Sequence, residues 1–490
     1  MKKLFLATSL ALVVSLPALA ATPSDALESR FRATEAWVNT MLTKESVPGA
    51  AIGIVHDQNL IWSHQFGVES YDTNNPVTDD TLFSICSVSK LFNGVATMNL
   101  VEEGKLSLDS PLAEYNKDLL MKDTLGSEEP VTVRGVLSHV SGLPREGNRD
   151  YWADTSFPDT SALVELVDTQ EHLYQPYDHW QYSNLGMSML GDVVSKVSGV
   201  SWGDYVAQTI FEPLGMSKSK TDMPFDLVGK GFAQGYLVRN PKGERQPVAT
   251  HSFRSFAPAA GVASSVNDLA KFASWHFRLY ENGGEEVLKA TTLKNMQRVH
   301  WVGADFDEPA WGLAYATRRY DEETVWGHGG YCPGARTEFV MRLSSKIGIV
   351  MMVSVNDVSP GSMVEAVYAL MSSAVERVLG KDSAGTDKPK AAKGKAKQGK
   401  AVNFSDYDGE YYQPGYPEDS YVGLNEDGLF FISLLSGDPA DGLQSWVHSE
   451  GDTFKRKRDD GTLAAPINFE RNDAGDIVSF MQHGYRYWKR

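Results

Sequence analysis

The stretch Leu82–Gly104 reads LFSICSVSKLFNGVATMNLVEEG, and the fold is decided by how it is read. Apolar Leu82, Phe83 and Ile85 lead into Ser87-Val88-Ser89-Lys90. From there Val88, Leu91, Phe92, Val95, Met98 and Val101 recur close to the helical period, and Gly104 stands where a helix would stop. A serine that opens such a helix lies among unpaired N–H groups at the positive end of the helix dipole. Lys90, three residues on, shares its face. The field that favours an oxyanion at Ser87 disfavours an ammonium at Lys90, which predicts an amine able to accept a proton near neutral pH. The plainer alternative is that Ser87 merely caps the helix.

Ser-x-x-Lys is weak evidence by itself, because the chain contains it twice. Ser217-Lys218-Ser219-Lys220 follows Pro213-Leu214-Gly215-Met216 and opens no periodic segment, so it reads as exposed loop. Tyr-x-Asn also occurs twice. Tyr182-Ser183-Asn184 feeds a helical pattern through Met187, Leu190, Val193, Val194 and Val197 to Gly199, whereas Tyr280-Glu281-Asn282 precedes two glycines and reads as a turn. The Tyr182 hydroxyl suits a proton relay between Ser87, Lys90 and a leaving group. The Asn184 amide offers a donor and an acceptor to a substrate. Among eleven histidines, His328 stands out because Gly327-His328-Gly329-Gly330-Tyr331 precedes a predicted core strand, and glycines there let a substrate backbone approach the strand edge.

Taken in order, Ser87-Val88-Ser89-Lys90, Tyr182-Ser183-Asn184 and His328-Gly329-Gly330 resemble the three motifs of the serine β-lactamase and penicillin-recognising superfamily, specifically its class C-like branch. They are separated by 95 and 146 residues. The surrounding blocks agree, among them Val133-Arg134-Gly135-Val136-Leu137-Ser138-His139, Ser141-Gly142-Leu143-Pro144 and Ala260-Gly261-Val262-Ala263-Ser264-Ser265. The resemblance spans roughly residues 25–375 and implies a mixed α/β (α+β) fold, a helical subdomain packed on an antiparallel sheet flanked by helices. It also implies catalytic Ser87, Lys90 and Tyr182, substrate contacts from Asn184, His328, Gly329 and Gly330, and an oxyanion hole from the N–H groups of Ser87 and Tyr331. No metal or organic cofactor is called for. Where β-lactamases and transpeptidases carry a Lys-Thr-Gly triplet, this chain has His328, a weaker and switchable cation. That departure points toward D-aminopeptidase-like or esterase members of the superfamily.

The remaining sequence sets the organisation. Lys2 and Lys3, the apolar run Leu4–Leu16 and Ala18-Leu19-Ala20 read as a signal peptide over 1–20, with an N-terminal anchor as the alternative, so a secreted or periplasmic protein is expected. Residues 21–380 read as the hydrolase domain. Within it Ala50–His56 with Leu60–Phe66, and Thr337–Leu343 with Ile347–Val355, are predicted hairpins. A Lys-, Ala- and Gly-rich linker over 381–401 follows, read as a solvated spacer. Residues 402–490 alternate between strand patterns and turn signals and are expected to form a small antiparallel barrel, which resembles the lipocalin-like modules attached to several such peptidases. Only two cysteines occur, Cys86 beside the nucleophile and Cys332 two residues after Gly330. Both would border one cleft, as a disulfide in an oxidising compartment or as two small buried residues.

A formal net charge of −17 argues against nucleic-acid partners and anionic membrane surfaces. Beyond the first apolar run no segment is long enough for stable membrane insertion. The expected partner is a small molecule or short peptide, and the oligomeric state is left open. The sequence thus predicts an exported serine hydrolase that forms an acyl-enzyme on Ser87 and cleaves small amides or esters of the D-amino-acid peptide class. β-Lactamase or DD-carboxypeptidase activity, and a catalytically silent ligand-binding protein, stay open as alternatives.

Overall fold

A computed structural model describes residues 22–303, 310–320, 323–380, 402–415, 418–426 and 428–490. The expected leader (1–20) and linker (381–401) lie outside the described residues. The chain resolves into two compact units, one of residues 42–369 and one that joins residues up to 41 with 370–490.

The elements that matter for the site are helix α1 (Pro23–Lys44), strands β1 (Gly49–His56) and β2 (Asn59–Gly67), helices α2 (Ser89–Glu102), α3 (Asn184–Ser198) and α4 (Val266–Asn282), strands β3 (Ala310–Trp311), β4 (Ala316–Tyr320), β5 (Glu323–Cys332), β6 (Ala335–Arg342) and β7 (Ile347–Val353), and helix α5 (Pro360–Leu379). Helices α1 and α5 both run across the division between the units. Among the described residues the strands form one antiparallel sheet in the order β2-β1-β7-β6-β5-β4-β3. Both predicted hairpins are present, β1 with β2 and β6 with β7. The uniformly apolar text of β1 and β7 places them at the centre, where every β7 residue is buried, while β2 is half-buried along its length.

Helix α2 is buried on nearly every side. That explains why its apolar residues surround the axis instead of forming one stripe. Phe92 of α2 packs edge-on against Phe211 and, at 4.5 Å between ring centroids, against Phe272 of α4. Helix α3 begins where Ser183 accepts a hydrogen bond from Gly186 N and ends at left-handed Gly199 (φ 83°), so both of its boundaries are written in the sequence. Tyr280-Glu281-Asn282, expected as a turn, is instead the last turn of α4. The amphipathic pattern of α4 carries through it, and the two glycines that follow end the helix. The second Ser-x-x-Lys is irregular as expected, with Ser217, Lys218 and Lys220 exposed, but Ser219 is buried and donates to Asp268 at 2.9 Å.

The other unit contains a closed eight-stranded antiparallel barrel: β8 (Gly409–Tyr412), β9 (Asp419–Asn425), β10 (Gly428–Ser433), β11 (Gln444–Glu450), β12 (Thr453–Lys457), β13 (Leu463–Arg471), β14 (Ile477–Gln482) and β15 (Tyr485–Lys489). Its interior is aromatic, with Tyr407, Tyr411, Trp446, Phe454, Phe469 and Phe480 in mutual contact. Antiparallel pairing of β8 with β15 closes the sheet on itself. Among the described residues no helix is long and apolar enough to cross a membrane.

Candidate active site

Ser87 sits in a tight turn, Cys86–Val88, that runs directly into α2. Cys86 takes a left-handed conformation (φ 49°), which non-glycine residues adopt only where surrounding structure holds them. What holds it is a disulfide to Cys332 at the end of β5, with Cα atoms 5.8 Å apart. The two cysteines that flank the motifs are therefore bonded to each other.

That bond fastens the Ser87 turn to the end of β5. β4 pairs with β5 only from Glu323 to Gly327, whereas β6 pairs with it as far as Cys332. Beyond Gly327 the outer edge of β5 therefore has no strand partner among the described residues. Gly330 lies against the turn, and a Cβ at this position would stand 2.3 Å from Ile85 O. Glycine is required here for close approach. The result brings Ser87 and Tyr331, the two expected oxyanion donors, to the same junction of turn and strand.

Lys90 is completely buried. Its Nζ lies 3.1 Å from Ser87 Oγ, 2.7 Å from Asn184 Oδ1 and 2.7 Å from Ala259 O. Burial pushes its pKa well below the usual lysine range; Glu146 opposes that and Arg145 adds to it. The Tyr182 ring lies 4.8 Å from Nζ, and its hydroxyl hydrogen-bonds Ser87. Burial raises the phenol, and the bond to Ser87 offsets part of that rise, so Tyr182 carries its proton at neutral pH.

Asn184 is placed otherwise than expected. Its Oδ1 accepts from Lys90 and its Nδ2 donates to Glu146 Oε1, so both ends of the amide are engaged and the side chain is buried. Through these two bonds it orients Lys90. Glu146 went unassigned in the sequence. It also accepts from the Tyr151 hydroxyl at 3.0 Å, and so anchors the chain Glu146–Asn184–Lys90 from the loop after Pro144. That loop cradles the Tyr-x-Asn segment: Ser183 Oγ donates to Pro144 O at 2.7 Å, and Asn184 N donates to Arg145 O at 2.9 Å.

His328 also departs from expectation. It is 4% exposed, its Nδ1 lies 2.6 Å from Gly329 O, and its Nε2 is buried with no partner among the described residues. Burial, reinforced by the Lys90 charge, pushes its pKa down to about 3. The imidazole is neutral at physiological pH, which corrects the expectation of a switchable cation. Gly329 faces the other way, toward Glu338 and Arg318. The exposed cation beside Tyr182 is Arg145, its guanidinium 4.8 Å from the ring centroid.

A cluster of aromatic rings packs beside Tyr182. His139 packs 4.4 Å from Tyr182 and edge-on to Trp311 at 4.9 Å; Trp311 in turn contacts His328 and stacks on Trp180. His139 Nε2, Trp180 Nε1 and Trp311 Nε1 are buried without protein partners among the described residues. His139 lies in a sequence block that carries the resemblance, but no local pattern marks Trp180 or Trp311.

The sequence model of the family described as Beta-lactamase matches residues 32–370. The chain belongs to this family. The beta-lactamase family match thus takes in the nucleophile turn, the Tyr-x-Asn helix start and the free edge of β5. Beta-lactamase-like protein 2 of Dictyostelium discoideum is 24% identical over 83% of this chain and 73% of its own length. Penicillin-binding protein 4 of Amycolatopsis lactamdurans is 29% identical over 60% of this chain and 78% of its own. In fold, the chain is similar to an octameric penicillin-binding protein homologue from Pyrococcus abyssi, with a TM-score of 0.60 at 23% identity over 93% of this chain and 99% of that one. The protein is a beta-lactamase-like member of a serine hydrolase and acyltransferase superfamily.

Proposed function

We propose that this protein hydrolyses small amides or esters of the D-amino-acid peptide class through an acyl-enzyme on Ser87. The observation that carries the reading is the surrounding of Lys90 Nζ. A neutral amine has two N–H donors and one lone pair. Asn184 Oδ1 and Ala259 O are pure acceptors and take both donors, and with Lys90 neutral the 3.1 Å contact to Ser87 Oγ reverses, the hydroxyl donating to the lone pair. Lys90 then removes the Ser87 proton as Oγ attacks the carbonyl carbon. The oxyanion is received by the N–H groups of Ser87 and Tyr331. The Tyr182 hydroxyl passes a proton to the leaving amine or alcohol, and water releases the acyl group by the reverse relay.

The neutral state of His328 supports a substrate without a carboxylate at that position of the strand, and so weighs against β-lactam or DD-carboxypeptidase turnover. Action outside the cytoplasm is part of the same proposal, supported by the Cys86–Cys332 disulfide.

A fluorophosphonate probe tests the nucleophile: wild type labels stoichiometrically and Ser87→Ala does not. Equal labelling of both, or none of either, overturns the enzyme reading in favour of a ligand-binding protein. Turnover of D-Ala-p-nitroanilide, p-nitrophenyl acetate and nitrocefin then separates the substrate classes. Nitrocefin hydrolysis that outruns the other two would overturn the reading of His328.

A further inference from the structure

The unit that contains the barrel holds a cation with no counterion among the described residues. Arg30 lies on the part of α1 that belongs to this unit, together with the second half of α5. Its Nη2 donates to Asn425 Oδ1 at 3.2 Å, and its guanidinium covers the Phe430 ring at 3.9 Å from the centroid. Nη1 is buried and has no hydrogen-bond partner among the described residues. The charge that acts on it is a like one, Arg377, and burial together with that repulsion pushes Arg30 down to about 10.

Neighbouring arginines of the same unit are treated differently. Arg32 pairs with Asp408, Arg471 with Asp406 and Asp452, and Arg486 with Glu470. Leaving a half-buried guanidinium, its Nη1 fully buried, without a counterion among the described residues costs more than one amide hydrogen bond and a ring face return. Arg30 lines a cavity of about 210 Å³ that it shares with Arg377, Lys457, Ser373 and Ser445. The carboxylate in this lining is Glu426, which sits 3.6 Å from Arg377. Three cations against one carboxylate, in a chain whose net charge is −17, make a local reversal of sign.

We propose that this cavity is a binding site for a compact oxyanion, a carboxylate or a phosphate group, held by Arg30 with Arg377 and Lys457 completing the charge. A guanidinium fork recognises both by paired N–H donation. The apolar Leu27, Leu429 and Trp446 beside the cations lower the local dielectric and strengthen that attraction.

The test titrates the full chain with inorganic phosphate and with citrate in low-chloride buffer, by calorimetry and thermal unfolding. The expected result is saturable one-to-one binding of at least one of them. Affinity should fall roughly tenfold or more in the surface variants Arg377→Gln and Lys457→Gln, as for loss of one charged contact. Arg30→Met should abolish binding and, without anion, should melt no lower than wild type, because an unpaired buried charge has been replaced by an apolar group. A response to phosphate alone identifies a phosphoryl ligand, and a response to citrate alone a carboxylate. Three outcomes each overturn the proposal: no saturable binding of either anion; equal responses in wild type and the variants, which would be a general salt effect; or an Arg30→Met protein that melts well below wild type in anion-free buffer.

Discussion

Reduction of the Cys86–Cys332 bond should injure both stability and catalysis, and the two effects are separable. The bond closes a loop of 246 residues, most of the unit of residues 42–369. Chain-entropy arithmetic for a loop of that length gives about 5 kcal/mol, the top of the range observed for single disulfides. The local effect is distinct. Cys86 precedes Ser87 and Cys332 follows Tyr331, so the bond sets the spacing of the two N–H groups assigned to the oxyanion. Loss of one such donor lowers kcat by about 10²–10³. The assay compares oxidised protein, protein reduced with a phosphine, and the Cys86→Ala/Cys332→Ala double variant, with thiols counted to verify the state. Urea unfolding reads stability, and kcat is measured at 25 °C without denaturant on the forms that circular dichroism shows to be folded. A fall in kcat of tenfold or more with KM nearly unchanged is expected. If the reduced protein keeps its kcat within twofold and its unfolding midpoint, the bond is incidental and the reasoning from its position fails.

Two further predictions bear on the cleft. NMR of the His328 imidazole should show no titration between pH 5 and 8. Because its folded pKa lies below the unfolded value, the stability it supports is complete above about pH 6.5. That contribution declines as pH falls toward about 3, and His328→Gln should flatten this acid limb; a titration midpoint near 6.5 in the folded protein would refute the neutral assignment. Asn184→Leu should lower kcat by roughly ten- to a hundredfold while leaving KM within about twofold, because the amide holds Lys90 and not the substrate; a rise in KM at constant kcat would restore Asn184 to substrate binding.

What was legible beforehand was local. The hairpins β1–β2 and β6–β7 follow from runs of apolar and β-branched residues, α2 and α3 from 3.6-residue spacing with a glycine stop, and the barrel from alternation with turn signals. Ser87, Lys90 and Tyr182 could be picked out because each belongs to a motif followed by a helix. Glu146 could not, since its partners Asn184 and Tyr151 are gathered by a loop whose path is set by contacts distant in sequence. Trp180 and Trp311 are 131 residues apart and stack only after the sheet has formed.

The sequence by itself determined the elements, the order of the motifs and the identity of the groups able to do chemistry, because periodicity and residue type act over a few neighbours. The tertiary structure decided the state of those groups. The Lys90 ammonium is disfavoured and His328 becomes a neutral ring because burial removes the water that would stabilise their charges, and burial is a property of the whole packed unit. Cys86 and Cys332 become one bond because the end of β5 lies against the turn before α2. Arg30 becomes a cation without a counterion among the described residues for the same reason, since packing decides which charges meet.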